Sequence, residues 1–220
     1  DGRGYRRFLP YGYENKRKNV LAPGSLSLER HRLLWLYLKN ETDFFSRPKP
    51  VKVLHFAPEQ AFHKKFKNLS NWDYVTTDIE SPLADVKADI CHLPFENNSF
   101  DLILCSHVLE HISDDEKALA ELFRVMKPGG TGFFQIPMDV NRPTTYEDAT
   151  ILTAEGRREA FGQYDHVRIY GLDFADRLKH AGFETELVRY AERLGPELTD
   201  KYRLDASEFL PIGKKPYSIR

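Results

Sequence analysis

The stretch FDLILCSHVLEHISDDEKALAELFRVMKPGGTGFFQIP, residues 100–137, decides the fold. It opens with the apolar run FDLILC (100–105) and closes with a second apolar run, GFFQIP (132–137). The residues between them have the spacing of a helix, so the stretch predicts a strand, a helix and a second strand. Two strands joined in this way lie parallel, with the helix as the crossover.

The helix of this stretch carries signals at both ends. Ser113 and Glu116 have the S-x-x-E spacing of a capping box, which predicts that the helix begins there. KPGG at 127–130 predicts where it stops. One helical face is then formed by the apolar residues at i, i+3, i+4 and i+7, namely Leu119, Leu122, Phe123 and Met126.

The same alternation extends to both sides of the stretch. Further strands are predicted at 51–56, 72–79, 85–90 and 183–189, a last one near 208–214, and further helices at 59–68 and 173–183. Pro211 weakens the last strand because proline has no N–H to donate to a ladder. Strands that alternate with helices predict an α/β protein with a mostly parallel sheet covered by helices on both faces.

Two segments do not follow this rhythm. Residues 1–24 lack periodicity and predict irregular structure ahead of a helix at 26–39, and residues 139–170 show no clear strand. We therefore expect a basic N-terminal arm and helix over 1–45. The main domain is expected over 46–220, with a lid insertion at about 139–170.

Composition limits the class of protein. The 220 residues are 41% hydrophobic and 30% charged, which is typical of a globular protein. No apolar run approaches the roughly 18 residues of a membrane span. The chain begins at Asp1 without methionine, which we interpret as trimming or processing, and no secretory signal is visible. With two cysteines and no export signal, we expect a cytoplasmic protein.

The carboxyl ends of the predicted strands hold the candidate binding residues, because an open parallel sheet binds its ligand there. Asp78 follows the second strand and lies 23 residues after His55, about the interval at which an acid meets a ribose diol. A lone acid at a strand end is as often a helix cap or a turn residue, and this alternative stays open.

Three segments carry a resemblance to a known family. YVTTDIE (74–80), ADICHLPFENNSFDLILCSHVLEHI (88–112) and ELFRVMKPGGTGFFQIP (121–137), with their spacing, resemble the type-11 subgroup of class I S-adenosylmethionine-dependent methyltransferases. The resemblance covers about 51–137. It implies a Rossmann-like, doubly wound sheet of seven mostly parallel strands, with S-adenosylmethionine as the cofactor and S-adenosylhomocysteine as its product.

The resemblance also implies roles for the residues at the strand ends. Asp78, with Ile79 beside it, would hold the ribose hydroxyls, and Asp89 would accept a hydrogen bond from the adenine amino group. Ile90 would lie beside the adenine ring. The methionine part of the cofactor would be flanked by Ser106 and His107. His111, in the LEH segment, more often orients the backbone in this family than takes part in chemistry.

The first loop departs from the family pattern, which has an acid and then a glycine-rich loop. His55 stands in place of the acid, and Ala57, Glu59 and Ala61 stand where glycines are usual. Glycine permits a positive φ and close backbone approach, and alanine keeps the close approach. We expect the cofactor to bind by an altered route in which Glu59 faces its cationic end. The alternative is a degenerate site in a pseudoenzyme.

The basic head resembles that of a subset of these methyltransferases in which a Cys-pair knuckle precedes S-L-E-R-H-R. Ala22 and Ser25 hold the C-x-x-C spacing here but cannot bind zinc, so no metal site is predicted. Arg30, His31 and Arg32 are candidates for contact with a substrate anion, or else form a solvated helix face.

The insertion holds the candidate catalytic residues. FGQYDHVRIYG (161–171) brings together an acid, a histidine, an arginine and two tyrosines, and Asp165 with His166 would serve as the general base. Contact with the substrate is predicted for Tyr164, Arg168 and Tyr170. The alternative is a hydrogen-bonded lid that touches no substrate.

We therefore predict a methyltransferase that acts on oxygen or nitrogen of a small-molecule or lipid- or glycan-linked acceptor. Two alternatives remain: a cofactor-binding scaffold, and an RNA methyltransferase. The second has only the head in its favour, where residues 1–40 hold nine Lys and Arg against three Asp and Glu. The acidic remainder and the absence of an Asn/Asp-Pro-Pro-Tyr motif count against nucleic acid. The sequence leaves the oligomeric state open.

Overall fold

A computed structural model describes residues 8–12 and 17–217 of the chain. The strands are β1 (Leu9–Tyr11), β2 (Arg17–Leu21), β3 (Val51–Phe56), β4 (Trp72–Asp78), β5 (Val86–Lys87), β6 (Phe100–Ser106), β7 (Met126–Gln135), β8 (Tyr146–Glu147), β9 (Arg168–Ile169), β10 (Glu184–Val188) and β11 (Leu210–Lys214). The helices are α1 (Glu29–Glu41), α2 (Gln60–Lys67), α3 (Asp115–Val125), α4 (Ala154–Phe161), α5 (Phe174–His180) and α6 (Tyr190–Tyr202), and a 3-10 turn spans Leu109–His111.

The chain divides into two compact units. One contains the residues up to Pro50 together with Glu59–Trp72 and Arg189–Glu208, and the other contains Val51–Pro58, Asp73–Val188 and the residues from Phe209 onward. The predicted boundary between an arm (1–45) and a main domain (46–220) stays a prediction. Among the described residues, no helix has the length and apolar character that crossing a membrane requires.

The central sheet has seven strands in the order β10-β11-β7-β6-β3-β4-β5. The pairs β3–β6, β6–β7 and β4–β5 are parallel, and β11 runs antiparallel to both β7 and β10. Strand order therefore reverses at the β3–β6 pair, from which the chain builds outward in both directions. The predicted fold class, a Rossmann-like and mostly parallel seven-stranded sheet, is confirmed.

The core of the second unit lies between this sheet and α3 and α5. Leu119 and Leu122 of α3, as predicted, and Leu178 of α5 are buried against Leu54 and Ile103 of the central strands. The strands β3 and β6 are buried on both faces, which explains why their sequences are continuous apolar runs rather than alternating ones.

Pro211 is tolerated inside the sheet because of where the pairing begins. β11 pairs with β7 only from Ile212 onward, while Pro211 lies opposite Leu187 of β10. The missing N–H of Pro211 is therefore not required on the β7 side, and the predicted last strand is confirmed.

The start of α3 differs from the predicted capping box. Asp114, rather than Ser113, is the N-cap, and its carboxylate accepts a hydrogen bond from the backbone N–H of Lys117 at 3.0 Å. An Asp at the N-cap bonds the third N–H as well as a Ser does, so neighbouring candidates compete. The helix ends at Val125, just before KPGG, as predicted. KPGG itself lies in β7 as a bulge, where Met126 pairs with Phe100 and Thr131 pairs with Leu102.

Both segments predicted to lack strands contain short ones. β1 and β2 form an antiparallel pair in the head, although residues 1–7 and 13–16 of the predicted irregular arm lie outside the described residues. In the insertion, β8 pairs with β9 and α4 lies between them in the chain. These strands of two to five residues are too short to show a periodicity.

Two further elements differ from prediction. The third strand, expected over 85–90, is limited to Val86–Lys87. Helix α6 was not predicted, since Gly195 and Pro196 interrupt its sequence. Gly195 adopts φ 81° at a kink in the middle of the helix.

The first unit is held together by an aromatic cluster and one buried cation. Trp35 packs on Phe45 at 4.9 Å between ring centroids, and Trp72 packs on Phe66 at 4.8 Å. Arg32 is buried and donates to the carbonyl oxygens of Val20, Ser27, Tyr202 and Arg203. Burial lowers the pKa of Arg32 to about 10, and the carbonyl oxygens supply its hydrogen-bond acceptors. Arg32 is therefore a packing residue and is not available to a substrate anion.

Candidate functional site

At the point where strand order reverses, the first residues after β3 and β6 are hydrogen-bonded to different neighbouring strands. The first residue after β3, Ala57, donates its N–H to Thr77 O of β4 at 2.9 Å. The first residue after β6, His107, donates its N–H to Gln135 O of β7 at 2.8 Å. A crevice at such a switch point is the usual ligand site of an open parallel sheet.

Both turns use a left-handed backbone. Ala57 has φ 46° and His107 has φ 54°, values that an L-residue with a side chain adopts at a cost of about 1–2 kcal/mol. Ala57 therefore keeps the conformation for which glycine is usual in this loop. The predicted close backbone approach at this position is compatible with the geometry.

Asp78 ends β4 with one carboxylate oxygen held and the other open. Its Oδ1 accepts hydrogen bonds from the N–H groups of Glu80 and Ser81 at 2.8 and 2.7 Å, which is the turn role left open by the sequence. Among the described residues, Oδ2 has no hydrogen-bond partner. Ile79, beside it, is 67% exposed. The fixed carboxylate and an apolar side chain thus lie at the end of the strand.

The turn after β5 places a second carboxylate. Asp89 Oδ1 accepts from the N–H of Cys91 at 2.8 Å, and this hydrogen bond, with that from His92, lowers the pKa of Asp89. Its side chain is 48% exposed, so it can accept a further hydrogen bond. Ile90 is buried in the core of the unit.

Three predicted cofactor residues are already engaged by the protein. His55 is buried, and its Nδ1 shares a hydrogen bond of 2.6 Å with the Tyr74 hydroxyl, so its ring does not face a ligand. Ser106 is buried and donates to Gln135 Oε1 at 3.1 Å. The Glu59 carboxylate lies 2.5 Å from Arg30 Nη2 and 2.6 Å from His31 Nε2. A carboxylate neutralised in this way is a poor partner for a sulfonium, contrary to the expected role of Glu59. The same ion pairs engage Arg30 and His31, the two head residues that were candidates for contact with a substrate anion.

A polar cluster lies beside His107, the first residue after β6. The LEH segment forms the 3-10 turn Leu109–His111 that follows, and His107 Nδ1 lies 3.2 Å from Glu110 Oε1. The His111 and His166 rings are 4.8 Å apart in an edge-to-face arrangement. Glu110 is fully buried, while both histidines are partly exposed. The cluster joins the end of β6 to the insertion.

The predicted catalytic pair is rearranged within this cluster. Asp165 Oδ2 lies 3.3 Å from Nδ1 of His111, and the structure does not pair it with His166. Burial is the main cause that lowers the pKa of His166, and the nearby carboxylate of Glu110 opposes it by favouring the protonated ring. His166 is therefore neutral at pH 7 and has a lone pair to share.

Two of the three predicted substrate residues are buried and bonded within the protein, and one of them, Arg168, also lines a cavity of this unit. Arg168 is 4% exposed; it donates to the carbonyl oxygens of Leu109, Ile112 and Ser113 and to Glu147. Tyr170 is fully buried and donates to Asp115 Oδ2 at 2.7 Å. The remaining residue, Tyr164, is 54% exposed and free to contact a ligand.

Sequence reasoning missed Glu110 as a site residue. The LEH segment drew attention to its histidine, and an acid in a short turn gave no sign that it would be buried. The usable signal was its position three residues after His107, which brings two side chains together on a helical turn.

Comparison with known proteins gives the class of residues 52–134. Residues 52–134 match a family described as a methyltransferase domain, which confirms the predicted class I S-adenosylmethionine-dependent family. A ubiquinone/menaquinone biosynthesis C-methyltransferase of Haemophilus ducreyi is 47% identical over 45 residues, 20% of this chain and 17% of that protein. The match thus spans less than a fifth of the curated relative.

Solved structures share the fold. The [4+2]-cyclase SpnF matches with TM-score 0.56 and 16% identity over 85% of this chain and 82% of its own. Phosphoethanolamine N-methyltransferase 2 of Haemonchus contortus, in complex with S-adenosyl-L-methionine, matches with TM-score 0.55 and 14% identity over 84% of this chain and 54% of its own. At such identities the likeness shows the fold alone.

Proposed function

Because residues 52–134 belong to the class I S-adenosylmethionine-dependent methyltransferase family, we propose that the protein transfers a methyl group from this cofactor to a small-molecule acceptor. The observation that carries the proposal is the reversal of strand order between β3 and β6, after which Ala57 and His107 are the first residues, because ligands of open parallel sheets bind at such a point. The family match covers the part of the chain that contains both strands.

The residues at the strand ends fit the cofactor. The left-handed Ala57 leaves the first loop in the shape that a glycine would give it, so a ligand can approach its backbone. The open Oδ2 of Asp78 can accept a hydrogen bond from a ribose hydroxyl. Asp89 has an exposed carboxylate that can accept from an adenine amino group, and Ile90 follows it in the chain.

The protein's own part in the chemistry is alignment and removal of a proton. When bound, the cofactor supplies a methyl group to the acceptor's nucleophile as its C–S bond breaks and the bonding electrons stay on sulfur. A hydroxyl or ammonium acceptor must also lose a proton. Neutral His166 is the group of the cluster that can take it, and Asp165 acts through His111 rather than on His166 directly.

The acceptor is proposed to be small and to carry an oxygen or nitrogen nucleophile. A cavity of about 560 Å³ in the same unit is lined by Glu147, Leu152, Arg157 and Val167, the residue after His166. This cavity is a candidate place for the body of the acceptor. Carbon methylation is a second candidate, since the curated relative is named as a C-methyltransferase.

The experiment that tests the proposal is calorimetric titration with S-adenosylmethionine and S-adenosylhomocysteine. We expect saturable binding of both ligands with one site per chain. Incubation of the protein with methyl-¹³C cofactor and a panel of hydroxyl, amine and enol acceptors, followed by NMR, then assigns the methylated atom from the shift of the labelled carbon. If neither cofactor form binds, the proposal is wrong. If both forms bind and no acceptor is methylated, the cofactor-binding scaffold takes its place.

The RNA alternative has its own readout. Binding of RNA through the basic head would weaken steeply as salt rises, because each phosphate contact releases counterions. We expect no such binding, since Arg30 and His31 are paired with Glu59 and Arg32 is buried among carbonyl oxygens.

A further inference from the structure

Glu110 has a carboxylate oxygen that the protein leaves unsatisfied. Its side chain is fully buried, and Oε1 lies 3.2 Å from His107 Nδ1. Oε2 is buried and has no hydrogen-bond partner among the described residues. Buried polar atoms are nearly always paired, so an orphan oxygen of a carboxylate points to a missing donor or cation.

Two imidazoles lie next to this oxygen. One ligand atom from each of Glu110, His111 and His166 can be chosen so that all three lie within 4.8 Å of one another. Tetrahedral ligands at about 2.0–2.2 Å from zinc are roughly 3.4 Å from one another. Side-chain rotations that move each ligand atom by about 1 Å would bring the three atoms to this separation. Both histidines are partly exposed, which leaves a side of the cluster open.

Each histidine is also held by its second nitrogen or by a neighbour. His111 has Asp165 at 3.3 Å from Nδ1, which leaves Nε2 for a ligand. His166 has the backbone of Phe161 as a neighbouring hydrogen-bond acceptor. Histidines that bind metals characteristically have their other ring nitrogen bonded to a carboxylate or a backbone carbonyl, which fixes the ring and its tautomer.

The geometry points to a divalent transition-metal site formed by Glu110, His111 and His166, at which an oxygen of the acceptor completes the coordination. Two imidazoles and one carboxylate suit Zn²⁺, Fe²⁺ or Co²⁺, and a three-ligand set keeps a position open for a further ligand. The site rests on the proposed function only for its acceptor. With an ion here, the lone pair of His166 binds the metal, so His166 would act as a ligand instead of as the base. The ion would make a bound acceptor hydroxyl more acidic, and its proton would pass to solvent water.

The test is a titration of untagged protein with Co²⁺ after treatment with a chelator and its removal by dialysis. Co²⁺ reports its ligands through visible absorption, so the readout is independent of activity. The variants are Glu110→Gln, His111→Gln and His166→Gln, and Asp165→Asn probes the support of His111. The matched control is His180→Gln, which changes an exposed histidine at the end of α5.

We expect one Co²⁺ per chain in the wild type and in the control, with a spectrum of nitrogen and oxygen ligation. Each of the three ligand variants should weaken binding at least about 100-fold, and Asp165→Asn about tenfold. Absence of stoichiometric binding in the wild type overturns the site, and so does binding that is unchanged in the ligand variants. Circular dichroism identifies any variant that fails to fold. If every variant fails to fold, the stoichiometry of Co²⁺ binding to the wild type decides whether the site exists.

A parallel titration with S-adenosylhomocysteine separates this inference from the proposed function. Binding of S-adenosylhomocysteine without Co²⁺ binding removes the metal site and leaves the methyltransferase proposal intact. Co²⁺ binding without S-adenosylhomocysteine binding supports the metal site and removes the methyltransferase proposal.

Discussion

Asp78→Asn separates the two roles of the acid at the end of β4. In the wild type, Oδ1 accepts from the N–H groups of Glu80 and Ser81, and Oδ2 is open. The amide oxygen of Asn can keep both turn hydrogen bonds, so the loop should retain its shape. The open position becomes an NH₂ donor, which cannot accept a hydrogen bond from a ribose hydroxyl, and the negative charge is lost.

The size of the effect follows from the number of hydrogen bonds lost. One hydrogen bond to a charged group contributes about 1.5–3 kcal/mol. A factor of ten in affinity corresponds to about 1.4 kcal/mol, so the dissociation constant of S-adenosylhomocysteine should rise about 10–150-fold. The free energy of unfolding without ligand should change little, because the turn is preserved.

Calorimetric titration of wild type and variant with S-adenosylhomocysteine measures this ratio. Asp73→Asn is the matched control, since Asp73 is an exposed acid near the other end of the same strand. It should bind as the wild type does. Equal affinity of Asp78→Asn and wild type would refute the ribose role, and equal weakening by both substitutions would show a non-specific effect of charge.

Three further substitutions probe other parts of the structure. Ala57→Gly removes a left-handed strain of about 1–2 kcal/mol and adds about 0.4–1 kcal/mol of unfolded-chain entropy, so urea unfolding should show equal or slightly higher stability. In the first unit, hydrogen bonds from His31 and Arg30 outweigh burial and lower the pKa of Glu59 from 4.5 to about 2. Glu59→Gln should therefore lose about 3 kcal/mol at pH 7, a difference that disappears as the pH falls from about 4.5 to 2. Arg168→Lys should cost about 2–4 kcal/mol, because Lys cannot reach several carbonyl oxygens at once.

Each of these expectations can fail in a specific way. A clearly less stable Ala57→Gly protein would show that the loop does not hold a strained backbone. A loss of stability in Glu59→Gln that persists unchanged at pH 3 would show that packing, rather than charge, is what the carboxylate provides. Arg168→Lys at wild-type stability would mean that the carbonyl contacts of Arg168 contribute nothing net.

The central strands, the crossover helix and the acid at the end of β4 were predictable because they depend on local sequence patterns. Runs such as 51–56 and 100–105 are apolar since both faces are covered, and the crossover helix shows its face at i, i+3 and i+4. Asp78 was proposed from its interval after the first strand, and it does lie at the end of β4. These features need no knowledge of residues distant in the sequence.

The partners of charged residues were not predictable for the opposite reason. Arg168 contacts carbonyl oxygens about 55–60 residues earlier in the chain, and Glu59 meets Arg30 about 29 residues away. A charged residue in a loop has the same sequence signature whether it meets a substrate or a distant backbone group. Nothing in the sequence indicated that Arg168 and Tyr170 would be buried and bonded within the protein, and their contact with a substrate stays a prediction.

The contacts of Arg168 have a consequence for motion at the acceptor side. It ties β9 to the turn that carries Glu110 and His111, and the N–H of Val167 donates to Glu110 O at 2.9 Å. Amide hydrogens on the two segments should therefore exchange with solvent at matched free energies, as members of one cooperative opening unit. An insertion bound in this way does not swing free of the turn. Any opening that admits an acceptor would disassemble the polar cluster at the same moment, so that entry of the acceptor and assembly of the reactive groups become a single event.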